Sequence, residues 1–305
     1  MKTHFGRFLS LALALAFQSQ LVAAQQSADP YFNTTVAHPA YTKNYPRVAF
    51  DEAHNNFHTT TGRYKPFVDL IMSDGYNVVP GRKLFAKPSL STFKILVIAN
   101  ALGAEDMDDE GADRSAFTEE ECDVVRDWVK SGGSLLLIAD HAPFGGAAES
   151  LSKRFGVEMS KGYTFDPEND FAASRPSTLL FSRENKRLLD HPITRGRNAD
   201  ERINRVITFT GQSLKGPEGS SVLLLLPQTA RDKPDRESQT SVSAAGRAQG
   251  IAFKFGKGRV VVLGEAAMLS AQLAGPNKGP MGMNVPGSDN RQLALNIMRW
   301  LSGLL

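Results

Sequence analysis

A single cysteine, Cys122, among 305 residues excludes an intramolecular disulfide and any small scaffold held by such staples. Its phase with Val125, Trp128 and Val129 makes it a buried apolar residue rather than a nucleophile. The G-x-S-x-G elbow of α/β-hydrolases is absent, as is the phosphate-cradling G-x-x-x-x-G-K-[ST]. No G-x-G-x-x-G follows a strand, so a dinucleotide fold is not indicated. The acidic segment Ala101–Ala116 lacks the D-x-D-x-D-G order of a calcium loop and reads as a solvated loop. No apolar run is long enough to span a bilayer as a mature helix; Phe8–Phe17 is the longest at the N-terminus and gives way to Gln18-Ser19-Gln20.

Lys2 and Arg7, that apolar run, and the small residues Val22-Ala23-Ala24 together have the form of a signal peptide cleaved after Ala24. The expectation is an exported protein, secreted or periplasmic, with no stable membrane insertion after cleavage. Cleavage takes the 35 Lys and Arg to 33 against 32 Asp and Glu, a formal charge of +1. With near neutrality and no stretch interleaving basic and aromatic residues, nucleic acid is not an expected partner.

Residues 25–46 are polar, contain Pro30, Pro39 and Pro46, and show no period, which predicts an exposed leader. From Arg47 to Leu305 strands and helices alternate. Arg47–Phe50, Tyr76–Val79, Lys94–Asn100, Ser134–Ala139 and Arg259–Leu263 read as strands, the central ones apolar on both faces as parallel strands are. Helices are expected at Tyr64–Ser73, at Thr118–Lys130 behind a Thr118/Glu121 capping box, at Phe144–Phe155, from Ala266 to Leu273, and at Asn290–Leu301 after Asp289 as N-cap. Ser160–Ser177, Ala230–Gly246 and Gly275–Ser288 read as loops or surface excursions. The alternation predicts one α/β domain, a doubly wound, mostly parallel sheet with helices on both faces.

Three of these strands run out in ionisable residues, and open α/β sheets bind ligands at that edge. The first leads to Asp51, His54 and His58, the Ser134 strand to Asp140 and His141, and the last to Glu265. Two chemistries fit. Asp51, His54 and His58 are candidate ligands for Zn²⁺, although their spacing is no known zinc signature. Alternatively His141, Asp140 and Glu265 act as general acid and base without metal, Asp140 orienting His141. Asn55 and Arg63 are candidate substrate-binding residues, and Gly145 opens a helix whose N-terminus can receive an anion.

In these residues the chain resembles the class I glutamine amidotransferase-like superfamily, within it the DUF4350 and GIFT-domain proteins, and more faintly the ThuA-like proteins. The segments that carry the likeness are DEAHNN after the first strand, GGSLLLIADH, HPITRG, GRVVVLGEAAMLS and the closing DNRQLALNIMRWL. The resemblance implies a flavodoxin-like sheet with its pocket over the carboxyl edge. It also implies a nucleophilic cysteine on the elbow, where this chain has Asp140-His141, and a His and a Glu near the last strand, of which only Glu265 is present. Amidotransferase activity is therefore not expected. The likenesses point to carbohydrate. Two functions follow as expectations: an exported hydrolase of a carbohydrate or other small polar substrate, or a non-catalytic carbohydrate-binding module with a degenerate pocket.

Overall fold

The computed structural model describes residues 26–172 and 174–305; the proposed signal peptide lies outside them. A nine-stranded sheet forms the centre of a mixed α/β architecture. Its mainly parallel half consists of β1 (Arg47–Asp51), β2 (Asn77–Gly81), β3 (Ile95–Ala99), β4 (Ser134–Ile138) and the C-terminal partner of a hairpin. That hairpin joins β5 (Ala248–Phe255) to β6 (Gly258–Leu263). The order is β2-β1-β3-β4-β6, every neighbour parallel. Beyond β6 the sheet turns antiparallel, through β5, Leu214–Lys215 and Glu158–Met159, with Ser221–Leu225 also paired to β5.

The period of two in the strands divides the apolar residues between two layers. Ile95, Val97 and Ala99 of β3 join the cluster containing Phe67 and Leu70 of α1 (Lys65–Ser73). Leu96 and Ile98 face the other cluster, with Cys122, Val125 and Val129 of α2 (Glu119–Lys130). The C-terminal helix, α3 (Asn290–Ser302), packs Leu293, Ile297 and Leu301 into the first cluster. Cys122 is fully buried and unpaired. The β6 start passes so close to α2 that a Cβ on Gly258 would lie 2.0 Å from the Gly133 carbonyl oxygen and 2.2 Å from that of Val129. No helix among the described residues is long and apolar enough to cross a membrane.

Several sequence expectations are corrected here. The helix expected over Phe144–Phe155 is two short ones, Phe144–Ala147 and Glu149–Lys153. The expected helix from Ala266 is a 3-10 turn, Ala267–Leu269, followed by the strand Ala271–Ala274. The Glu265 oxygens accept from the Ala267 and Met268 backbone N–H groups at 2.9 and 2.7 Å, capping the turn, and the chain is extended again from Ser270. Asp289 makes no side-chain cap on α3; its Oδ2 accepts from Asn204 and Arg205 N–H at 2.7 and 2.9 Å. Strands also appear inside the expected loops, at Tyr163–Phe165, Arg231–Lys233, Val242–Ser243 and Gly279–Gly282.

The leader is anchored at several points. Ser27–Ala28 pairs with Ala271–Ala274, Asp74 Oδ1 accepts from Ala40 N–H at 2.8 Å, and Arg291 donates to the Thr35 carbonyl at 2.7 Å.

Candidate functional site

A cavity of about 410 Å³ lies where the chain leaves β3, β4 and β6. Asn100, Asp140 and Glu265 enter it from those three strand ends. Asn100 adopts a left-handed backbone conformation, φ 54°, one of the few positions where a side chain of its kind is tolerated. Its Oδ1 accepts from Asp140 N–H at 3.0 Å, fixing the strand end that carries the acid.

Asp140 and Glu265 form a buried carboxyl pair. Asp140 accepts from the His141 N–H at 2.8 Å and the Ala266 N–H at 3.4 Å, while both Glu265 oxygens accept backbone N–H groups of the turn. Burial raises the pKa of both, most strongly at Glu265, where the negative charge of Asp140 adds to it. Two like charges out of water cannot both ionise cheaply, so the pair holds a proton into the range where an isolated carboxyl has lost it.

His141 is half-exposed at the cavity wall and stacks on Tyr163, ring centroids 4.6 Å apart. Its Nδ1 lies 2.6 Å from the Ala142 carbonyl oxygen, an acceptor only, so Nδ1 carries the proton and Nε2 keeps the lone pair of the neutral ring. The carbonyl of Ala142, and not Asp140, therefore orients the imidazole, because the Asp140 carboxyl is engaged by backbone N–H groups. Arg236 Nη2 stands 3.5 Å from Nε2.

His58 and Arg63 also line the cavity. His58 stacks on Tyr64, whose hydroxyl donates to the Ala266 carbonyl at 2.6 Å. Burial, reinforced by the Arg63 charge, lowers the His58 pKa to about 3. Arg63 lies over the Phe57 ring at 4.5 Å, donates to Gln26 Oε1 at 3.3 Å, and has its pKa lowered by burial. His58 Nδ1 and Gln272 Oε1, buried polar atoms of two cavity-lining residues, have no hydrogen-bond partner among the described residues. Both atoms are fully covered, so they are unpaired inside the wall and not open to the cavity space.

The other sequence candidates are elsewhere. His54 bonds through Nδ1 to both Asp51 oxygens at 2.9 Å and through Nε2 to Glu121 Oε1 at 3.0 Å, between the Phe85 and Phe117 rings. Both ring nitrogens are occupied, and Glu121 also completes the capping box with Thr118. Asp51 and His54 thus tie β1 to α2, while His58 faces the cavity. Among the described residues no group of three His, Cys, Asp or Glu side chains is arranged to hold a metal ion, so the donor set Asp51, His54 and His58 does not fit Zn²⁺. Asn55 is an exposed turn residue at φ 47°. Gly145 packs under the Gln212 amide, where a Cβ would meet Oε1 at 2.4 Å, and is not itself among the cavity-lining residues.

Burial opposes the charge on His54, but the hydrogen bonds and charges of Asp51, then Glu121, outweigh it and raise its pKa. Its contribution to stability is therefore complete below the ordinary value of about 6.5 and is lost as pH rises through the higher, folded value. A histidine-resolved NMR titration is expected to place the His54 midpoint above 6.5; a midpoint at or below it would mean that the two carboxylates hold a neutral ring.

Asn100, Arg236, Gln26 and Gln272 are cavity residues that sequence reasoning missed. Asn100 had a signal, a residue tolerant of left-handed backbone directly after an all-apolar strand. The other three come from segments without a strong period.

No family model matches the chain, and no curated relative does. Among solved structures it is similar to the "mmIFT52 N-terminal domain", 13% identical over 84% of this chain and 97% of that one, with a TM-score of 0.58. This shows a shared fold and nothing of activity. The cytoplasmic protein STM3548 from Salmonella typhimurium (12% identity, 84% and 98% coverage, TM-score 0.48) overlaps more loosely. So does a putative ThuA-like protein from Bacteroides uniformis ATCC 8492 (11%, 90% and 95%, 0.45). Neither of these two carries an argument.

Proposed function

We propose that this chain is an exported hydrolase acting on a carbohydrate or another small polar molecule at the strand-end cavity. The observation that carries the reading is the convergence there of a protonated carboxyl pair, Asp140 and Glu265, with an imidazole whose Nε2 lone pair is defined by the Nδ1 contact to Ala142. A carboxyl pair that burial favours in its protonated form and an imidazole lone pair in one cavity can supply the acid and the base of hydrolysis. In this scheme His141 Nε2 takes a proton from water as its oxygen attacks the substrate. The carboxyl pair gives its proton to the leaving oxygen, and the imidazolium returns one to the pair. Phe57 and Phe144 supply apolar faces, and Asn100 and Gln272 amide contacts, of the kind that hold a sugar ring.

The order β2-β1-β3-β4-β6, with helices packed in both apolar layers, supports the finer assignment to a flavodoxin-like, doubly wound sheet within the amidotransferase-like superfamily. The N-terminal charge and apolar pattern supports export.

Hydrolysis of a panel of glycosides and small esters by wild type and His141→Gln tests the proposal. The variant is expected to lose about 10²-fold in kcat/KM with an unchanged melting temperature, since the ring is half-exposed. Binding without turnover by wild type would favour the alternative, a non-catalytic carbohydrate-binding module. That reading is supported by the absence of Ser and Cys from the cavity's described lining.

A further inference from the structure

We infer that the molecule this cavity takes is a hydroxylated anion, a small polyol bearing a carboxylate or phosphate group, with the charged group received by Arg63 and Arg236. The inference rests on the proposal that the cavity is the functional site and adds the charge of its ligand.

Both guanidiniums line the cavity, and neither has a carboxylate within 4.0 Å among the described residues. Arg63 is half-buried with one amide contact, to Gln26, and one face on Phe57. Arg236 lies over Tyr163 at 5.2 Å and reaches only the His141 ring nitrogen, at the long distance of 3.5 Å. Arg63 is half-buried and its donors need acceptors, whereas Arg236 is exposed and holds its guanidinium at the cavity mouth; the fork of each matches the two oxygens of a carboxylate or phosphate. The cavity's own carboxyls do not supply them. Asp140 and Glu265 direct their oxygens at the backbone N–H groups of His141, Ala266, Ala267 and Met268. The Asn100 and Gln272 side chains and the His58 ring in the same wall give the hydroxyls of such a molecule polar neighbours. A volume of about 410 Å³ suits a molecule of one or two sugar rings.

The arrangement also links binding to the base. Arg236 Nη2 stands 3.5 Å from the His141 Nε2 lone pair. An anion that takes the Arg236 donors leaves that lone pair to water, so a charged ligand readies the imidazole in a way that a neutral one does not.

Titration calorimetry of the full chain, and of Arg63→Gln and Arg236→Gln separately, against matched probes tests this. The probes are glucuronate, galacturonate and glucose 6-phosphate, with methyl glucoside and methyl galactoside as neutral counterparts. At least one anion is expected to bind, its neutral counterpart at least tenfold more weakly, and each arginine variant to weaken the anion by about 10- to 100-fold. Preference between the uronates and the phosphate identifies the anionic group. Binding of no anion, equal binding of neutral sugars, or anion binding unchanged in both variants would overturn the inference. Its failure is separable from that of the hydrolase reading. Anion binding that needs both arginines, without turnover, keeps the inference and removes the hydrolase. Turnover of neutral glycosides that is indifferent to both arginines does the reverse.

Discussion

Arg299→Ala is expected to lower the free energy of unfolding by about 3–5 kcal/mol, read from the shift of a urea transition. Arg299 on α3 is 1% exposed and faces Asp74, 0% exposed, at the end of α1. Nε donates to Oδ2 at 2.9 Å and Nη2 to Oδ1 at 2.7 Å, a parallel fork-to-fork pair. Nη1 approaches Glu201 Oε1 at 2.9 Å, an ion-pair contact whose angle falls short of a hydrogen bond. Asp74 Oδ1 also accepts from Ala40 N–H, so the same carboxylate holds the leader. Truncating the arginine leaves a charge stranded in the first apolar layer and a void where the largest fully buried side chain stood. A loss below about 1 kcal/mol would mean that water reaches Asp74 and replaces the guanidinium.

His58 sets the second large effect, on pH dependence. Its folded pKa of about 3 lies below the unfolded value of about 6.5. Between these values the unfolded chain binds the extra proton, so stability rises with pH across the window and falls on acidification. The linkage amounts to about 2 kcal/mol lost between pH 7 and pH 5, and about 4 kcal/mol by pH 3. His54 has the opposite sign and acts above 6.5, where its raised pKa withdraws stability on the alkaline side. His191, lowered to about 4 by burial, adds to the acid loss, so the difference between wild type and His58→Phe isolates the residue. Denaturation at pH 7, 6 and 5 is expected to show a flatter slope for His58→Phe. Parallel curves would mean that His58 takes up a proton in the folded chain as easily as in the unfolded one.

The parallel half of the sheet was legible because strands buried on both faces are runs such as ILVIA and SLLLI, with Gly132-Gly133 and capping residues between them. Asp140, His141 and Glu265 were legible for the same reason, as polar residues directly after those runs. What could not be read was where a side chain's partners come from. Asp51 and His54 are three residues apart and looked like ligands for a metal, but the second partner, Glu121, is 67 positions from His54 and was already accounted for as a helix cap. The apolar run before Glu265 marks it as an acid at a strand end, but neither its capping of the Ala267 and Met268 N–H groups nor the strand Ala271–Ala274 beyond has a local signal. Arg236 sits in a segment of polar, exposed residues, where sequence contains no sign that one of them turns back to a strand end.

The leader has a further consequence for the order of folding. Gln26 belongs to the cavity wall, the adjoining Ser27–Ala28 pairs with Ala271–Ala274, and Asn284 donates to Asp29 across 255 positions of sequence. Such a contact closes a loop of most of the chain and gains little until the sheet it docks on exists. The parallel strands β1 to β4 come from one continuous stretch, Arg47–Ile138, whereas β6 joins β4 across 125 positions, Arg259 opposite Ser134. The cavity wall is therefore complete only when the leader is docked, and undocking it would open the rim while leaving the buried core beneath in place.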